Sequence, residues 1–336
     1  MSDATVASVG EHGLIERLRA RAGSPPAWIP IGIGDDAAVI EPLRGELTVV
    51  TTDSLVETVH FRRDWTPLAA VGHKALAVSL SDLAAMGATP RASLLSLALP
   101  PDLPLREFDE FIDAFLALAS RAGAPLVGGN LSRSPGPLVA DSIALGSVHR
   151  RRVLRRDGGR PGDELYLTGT VGAAAAGLAM LSTGAKRPEL QPEEAECVAR
   201  YERPDARLRC GTAMGRARAA AACMDLSDGL ADAVRQIAAA SHTGAVIDAA
   251  RVPVHPGARS WAQRTHGDAL ALAVSGGEDY ELLFAVRPRW RGAFRAAGRL
   301  CSDVGLTHVG RLTAEPGVWL DRGGTLEPLG QGFAHF

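Results

Sequence analysis

Apolar positions recur along this chain in two rhythms. Residues 13–21 carry Leu14, Ile15 and Leu18 at helical spacing and predict a short amphipathic helix. Pro25, Pro26 and Pro30 then mark a loop. Short runs rich in β-branched and aliphatic residues predict strands over 47–51, 92–99, 125–127 and 138–148, and longer periodic runs predict helices over 67–86 and 105–122. Strands and helices mix here without regular βαβ alternation.

Residues 150–162 are rich in Arg, Gly and Asp and run into Pro161-Gly162-Asp163, a turn signal and a domain boundary. Two domains are therefore expected, 1–150 and 151–336, as suits a chain of 336 residues. In the second half a strand is predicted over 164–168, a Gly/Ala-rich helix over 172–183, and a surface segment around Pro188, Pro192 and Pro204. A helix over 230–240 and strands over 245–248, 269–274, 280–286 and 307–312 complete the pattern. Both halves read as α+β.

Composition narrows the function classes. An apolar fraction of 46% with 22% charged residues is that of a globular enzyme. A net charge of −2 gives no electrostatic reason to expect a nucleic acid partner. The basic cluster Arg150, Arg151, Arg152, Arg155 and Arg156 reads equally as a solvated turn or as a contact to nucleotide phosphates. No uninterrupted run approaches the ~18 apolar residues of a membrane span, and residues 1–10 lack a signal-peptide pattern. The four cysteines form no CxxC pair, as expected for reduced thiols in a cytoplasmic protein.

The acidic residues carry the chemistry. Asp35 and Asp36 follow a Gly-x-Gly lead-in, Asp53 follows Thr51 and Thr52 on a β-rich run, and Asp225 and Asp228 flank Ser227 before Gly229. Any one of them reads as a helix cap or a turn residue. Asp82 is different: it is the only charged residue between Ala75 and Ala88, on a helix apolar almost all round. A carboxylate buried there costs several kcal/mol, roughly, unless a cation neutralises it. Hard cations such as Mg²⁺ take oxygen ligands and share their shell with substrate phosphates. Two Gly-Gly turns, Gly128-Gly129 before Asn130 and Gly276-Gly277 before Glu278, let backbone N–H groups approach phosphate closely. There is no GxxxxGK P-loop, no HRD or DFG set, no GxSxG and no HExxH, so the chain belongs to neither common kinase class.

These blocks, in this order, resemble the thiamine-monophosphate kinase family, within the aminoimidazole ribonucleotide synthetase-like superfamily. The carriers are Gly32-Ile33-Gly34-Asp35-Asp36, Thr51-Thr52-Asp53-Ser54 with His60-Phe61, and the run from Lys74 to Gly87. Asp225-Leu226-Ser227-Asp228-Gly229, Ser275-Gly276-Gly277-Glu278-Asp279 and the tail from Gly332 to Phe336 follow. The resemblance implies two mixed α/β domains, the N-terminal one mediating homodimerisation, and direct in-line transfer of the γ-phosphoryl group of ATP to thiamine monophosphate. It implies several Mg²⁺ ions on Asp35, Asp36, Thr51, Thr52, Asp53, Asp82, Asn130, Asp225 and Asp228, and ATP contacts from Gly129, Asn130, Arg156 and Ser227. It assigns substrate contacts to His60, Glu278 and Phe333, and requires no general base. The family usually carries aspartate where this chain has Asn130, which removes one negative charge from the metal set. Other readings are a different ATP-using enzyme of the same superfamily, or an inactive nucleotide-binding sensor dimer.

Overall fold

A computed structural model of the chain describes residues 4–301, 304–330 and 332. It divides into two compact units, Met1–Leu83 with Thr89–His149, and Ala84–Ala88 with Arg150–Phe336.

The first unit is built from α1 (Val6–Ala22), β1 (Glu46–Val56), α2 (Leu68–Ala85), β2 (Thr89–Leu99), α3 (Leu105–Ala122), β3 (Leu126–Arg133) and β4 (Val139–His149). Its four strands lie in the order β1-β4-β2-β3, antiparallel except for the β2–β3 pair. Phe108, Phe111, Ile112, Phe115 and Ala119 form one buried stripe along α3. Gly72 brings α2 against it: a Cβ at this position would stand 2.1 Å from Phe111 O, so the two helix backbones touch. Helix α2, although interrupted by Lys74 and Asp82, is long and apolar enough by length and composition to cross a membrane. Yet 83% of it is buried inside the fold, which makes it a core helix.

The second unit contains β5 (Glu164–Thr168), α4 (Ala173–Ser182), α5 (Pro192–Glu202), α6 (Leu208–Ala217), β6 (Ala222–Asp225), α7 (Leu230–Ala240) and β7 (Gly244–Asp248). It continues with α8 (Pro256–Thr265), α9 (Ala269–Ser275), β8 (Leu282–Val286), α10 (Arg291–Gly298), β9 (Leu306–Thr313), β10 (Val318–Arg322) and β11 (Thr325–Pro328). Its seven-stranded sheet runs β11-β10-β7-β9-β5-β8-β6, with β10–β7 the parallel pair. One core layer joins Tyr166, Met214, Cys223, Phe284 and Phe294.

Four expectations are corrected. Residues 269–274 are helix α9, not a strand: Asp268 accepts hydrogen bonds from Leu270 N (2.8 Å) and Ala271 N (3.2 Å), and this cap turns the continuous apolar run into a helix. The segment around Pro192 is not surface loop but α5, started by that proline at its first turn and burying Glu194, Cys197, Val198 and Tyr201. The Gly128-Gly129-Asn130 stretch is not a turn after a strand. It lies inside β3, where a Cβ on Gly129 would stand 1.8 Å from Leu95 O of β2. The second Gly-Gly pair follows a helix, α9, rather than a strand.

Candidate active site

In the first unit the strand period sorts the candidates. Along β1, Thr51, Asp53 and Leu55 share the inward face, while Thr52 and Ser54 are exposed on the other. Asp53 thus sits within the strand, opposite Ser142 of β4, rather than at its end. Helix α2 covers that face. Its residues Ala75, Ser79 and Asp82 are spaced four and three apart, which puts them on one side of the helix. Ser79 Oγ donates to Asp53 Oδ2 at 2.8 Å and lies 2.7 Å from Ser142 Oγ, and Ser142 donates onward to Ala75 O. Thr51 Oγ1 donates to Asp82 Oδ2. Asp82 is therefore half-buried with a hydroxyl partner, rather than deeply buried and alone.

The pair is electrostatically loaded. Burial, followed by repulsion from Asp82, pushes Asp53 up to about 6 despite the Ser79 hydrogen bond. A cation between the two carboxylates would offset both the burial and the repulsion, and the donor set is all oxygen, as Mg²⁺ requires. Among the described residues no three His, Cys, Asp or Glu side chains close into a metal cage. Mg²⁺ is typically bound through one or two carboxylates plus substrate phosphates.

Asp35 and Asp36 are exposed on their loop, with Asp36 N donating to Asp35 Oδ1 at 2.8 Å, and no hydrogen bond ties either to Asp53 or Asp82 among the described residues. Asn130 is exposed on β3 opposite Ser96. His60 Nδ1 accepts from Val56 N at 3.0 Å across a tight turn, leaving Nε2 to carry the proton.

In the second unit, Asp225 ends β6 with 2% exposure, and Ser227, Asp228 and Gly229 lead directly into α7. This loop is zipped to the one before β8. Glu278 N donates to Ser227 O (2.7 Å), Tyr280 N to Leu226 O (3.1 Å) and Leu226 N to Glu281 O (2.9 Å). The zipper needs glycine: a Cβ on Gly229 or Gly277 would stand 2.6 Å from Gly276 O or Ser227 O. Glu278 and Tyr280 both adopt positive φ, 68° and 48°, strain that the zipper holds in place. Ser227, Asp228 and Glu278 are thereby brought together at the amino end of α7, a natural anion site. The tail returns here as well: a Cβ on Gly332 would lie 2.4 Å from Asp228 O. Phe333 lies outside the described residues. Arg156 is exposed, its Nη1 donating to Gln236 Oε1 on α7.

Sequence reasoning missed the framework of this loop. Asp279 receives Gly172 N (2.6 Å) and Ala174 N (3.0 Å) and so caps α4, while burial lifts its carboxyl to about 7. Glu281 is fully buried and accepts from Arg207 Nε at 2.7 Å and from Thr168 Oγ1. The signal was the run Glu278-Asp279-Tyr280-Glu281, with acids at successive positions that cannot all face one ligand.

Two models of the AIR synthase related protein match this architecture, the N-terminal domain over residues 34–148 and the C-terminal domain over 160–321. That defines the class as two-domain AIR synthase-related proteins. The thiamine-monophosphate kinase of Synechococcus elongatus is 38% identical over 100% of this chain and 99% of its own. That of Escherichia coli K12 is 38% identical over 97% and 98%. The solved thiamine-monophosphate kinase of Stenotrophomonas maltophilia K279a superposes with a TM-score of 0.82 at 38% identity, covering 92% of this chain and 95% of that one. AaThiL complexed with AMPPCP and TMP gives 0.78 at 30% identity over 100% of both chains. The chain belongs to the thiamine-monophosphate kinase family. The hydrogenase maturation protein HypE, at 18% identity and a TM-score of 0.79, shares the fold.

Proposed function

We propose that this chain transfers the γ-phosphoryl group of ATP to thiamine monophosphate, giving ADP and thiamine diphosphate, the last step in making that cofactor. The observation that carries the reading is full-length similarity to kinases of that name together with a relative solved with an ATP analogue and TMP. The carboxylate pair Asp53–Asp82 supports it physically.

Acceptor and donor are both anionic, so their mutual repulsion is the obstacle to be removed. Bound Mg²⁺ would neutralise the phosphates and draw them into line. We assign its ligands in the first unit to Asp35, Asp36, Thr51, Thr52, Asp53, Asp82 and Asn130, and in the second to Asp225 and Asp228. Gly129, Asn130, Arg156 and Ser227 are assigned to ATP, and His60, Glu278 and Phe333 to the thiamine substrate. An acceptor phosphate is already ionised, so no side chain has to remove a proton from it. Residues 1–150 would carry ATP binding and the contact between two copies in a homodimer, and 151–336 the second half of the machinery, in the cytoplasm.

The test is turnover with thiamine monophosphate and saturating Mg²⁺, scoring thiamine diphosphate against ADP. One-to-one formation is expected. Tight ATP binding with no thiamine diphosphate would sink the kinase reading and favour the nucleotide-sensing alternative, for which Asn130 is the one argument. If Asn130 touches metal, Asn130→Asp lowers the Mg²⁺ concentration needed for half-maximal rate, and an unchanged Mg²⁺ dependence removes Asn130 from the ligand set.

A further inference from the structure

The turn before β8 carries three acids in four residues, and the fold uses two of them as anchors. Asp279 goes to the amino end of α4, where it accepts from Gly172 N and Ala174 N. Glu281 is fully buried. Its Oε2 accepts from Thr168 Oγ1 of β5 at 2.5 Å and from Arg207 Nε at 2.7 Å, and its Oε1 accepts from Arg207 Nη2. Arg200 Nη1 of α5 lies 3.5 Å from the same Oε1. A Cβ on Gly169 would stand 2.1 Å from Oε1, so the carboxylate lies tight against the chain that leaves β5.

Arg207 is a fixed post for this anchor. It is the N-cap residue of α6, its carbonyl accepts from Gly211 N at 3.0 Å, and only 12% of its side chain is exposed. Its guanidinium meets both oxygens of Glu281 as a fork, which fixes direction as well as distance. Glu281 in turn ties down the backbone: its carbonyl accepts from Leu226 N at 2.9 Å, and Glu278 and Tyr280 just before it both hold positive φ. Non-glycine residues stay in that region only where their surroundings over-determine it. Tyr201 of α5 is buried, and burial followed by the charge of Glu278 pushes its phenol up. The Glu278 charge therefore lies close to α5, the helix that also sends Arg200 to Glu281.

We propose that Arg207 is a positioning residue for the thiamine substrate, acting through Glu281 to hold Glu278 in place. The assignment rests on the reading of Glu278 as a contact to that substrate. Two properties follow from the geometry. The post must be a guanidinium, because the ammonium of lysine is a point charge and cannot hold both carboxylate oxygens as a planar fork. The effect must also run through Glu278, so it disappears when the Glu278 side chain is gone. Ser227, assigned to ATP, is carried on the segment between β6 and α7 rather than on the turn itself. A turn loosened at Glu281 therefore disturbs Glu278 more than Ser227.

The test is steady-state formation of thiamine diphosphate by the full chain, with KM for thiamine monophosphate and KM for ATP measured separately at saturating Mg²⁺. Arg207→Lys and Glu281→Gln should each raise KM for thiamine monophosphate about tenfold, the scale of one lost charge-assisted hydrogen bond. KM for ATP should change less than about twofold, since the lost interaction does not reach it. In a Glu278→Ala background Arg207→Lys should add nothing further, because residues acting in one chain of contacts are not additive. Tm is recorded for every variant: a merely structural role lowers it without separating the two KM values. An unchanged KM for thiamine monophosphate in both Arg207→Lys and Glu281→Gln overturns the assignment. So do equal rises in both KM values, or the full Arg207→Lys penalty without the Glu278 side chain. An inactive wild type is a different failure: it overturns the kinase reading, and this assignment with it.

Discussion

At Asp53, burial and a neighbouring carboxylate act in the same direction, and one serine hydroxyl opposes them. Asp82 supplies the repulsion and keeps a threonine partner of its own. Asp82→Asn removes that charge while preserving shape and the Thr51 contact. We expect kcat/KM for thiamine monophosphate to fall about 100-fold or more, by analogy with disturbed metal sites, with little change in Tm. Near-normal turnover would make Asp82 a structural residue. His255 gives a pH prediction. Its Nδ1 accepts from Gly257 N at 3.1 Å, capping α8, and lies 3.3 Å from Cys197 Sγ. Burial and then Arg200 hold its pKa below the usual 6.5, against the pull of Glu196 and Glu193. The unfolded chain therefore binds the proton more tightly. The stabilisation is complete above 6.5 and is lost as pH falls from there through the lowered folded value. Denaturant midpoints measured across that window should drop in the wild type and flatten in His255→Gln. Equal slopes would show that another group governs the acid limb. Asp82 was legible in the sequence because a lone charge in an apolar helix is conspicuous. Asp279 was not, since its role as a cap depends on α4, which begins more than a hundred residues earlier in the chain.

Among the elements, α2 organises the first unit. One side places Ser79 and Asp82 over β1, and Gly72 presses against α3. Both helices were visible as periodic runs, and their ends fell within a few residues of the observed ones. Residues 269–274 misled because six consecutive apolar residues fit a buried strand and a buried helix turn alike. The Gly-Gly stretch of β3 misled because glycine signals a turn locally, whereas here it answers a neighbouring backbone. Gly129→Ala must displace Leu95 O, so it should destabilise the protein by about 3 kcal/mol, as overpacking does, and loosen β3 where Asn130 sits. An unchanged denaturation midpoint would mean that β2 and β3 can separate without cost.

For the whole molecule, the two-domain class was legible from the order of the motif blocks. The strand orders were not, because a parallel pair such as β2–β3 or β7–β10 is set by distant pairing rather than by local pattern. The outward face of β1 bears on assembly. Val50 is 61% exposed there, paired with Leu145, and β1 is an edge strand. Such faces are normally covered. We expect sedimentation to give a particle of twice the 35.1 kDa chain mass, and Val50→Glu to shift it toward the single-chain mass. A wild-type monomer would rule out the homodimer.

All four cysteines are buried; burial pushes the Cys197 thiol up to about 12 and that of Cys223 well above the usual range, and a hydrogen bond with Cys301, followed by burial, raises that of Cys210. The thiolate is the species that attacks thiol reagents, so the native chain should be nearly silent toward maleimides while folded. A single cysteine introduced on the surface could then carry a fluorophore or spin label with little background, and the native thiols would take up reagent only as the core opens, a built-in clock for unfolding.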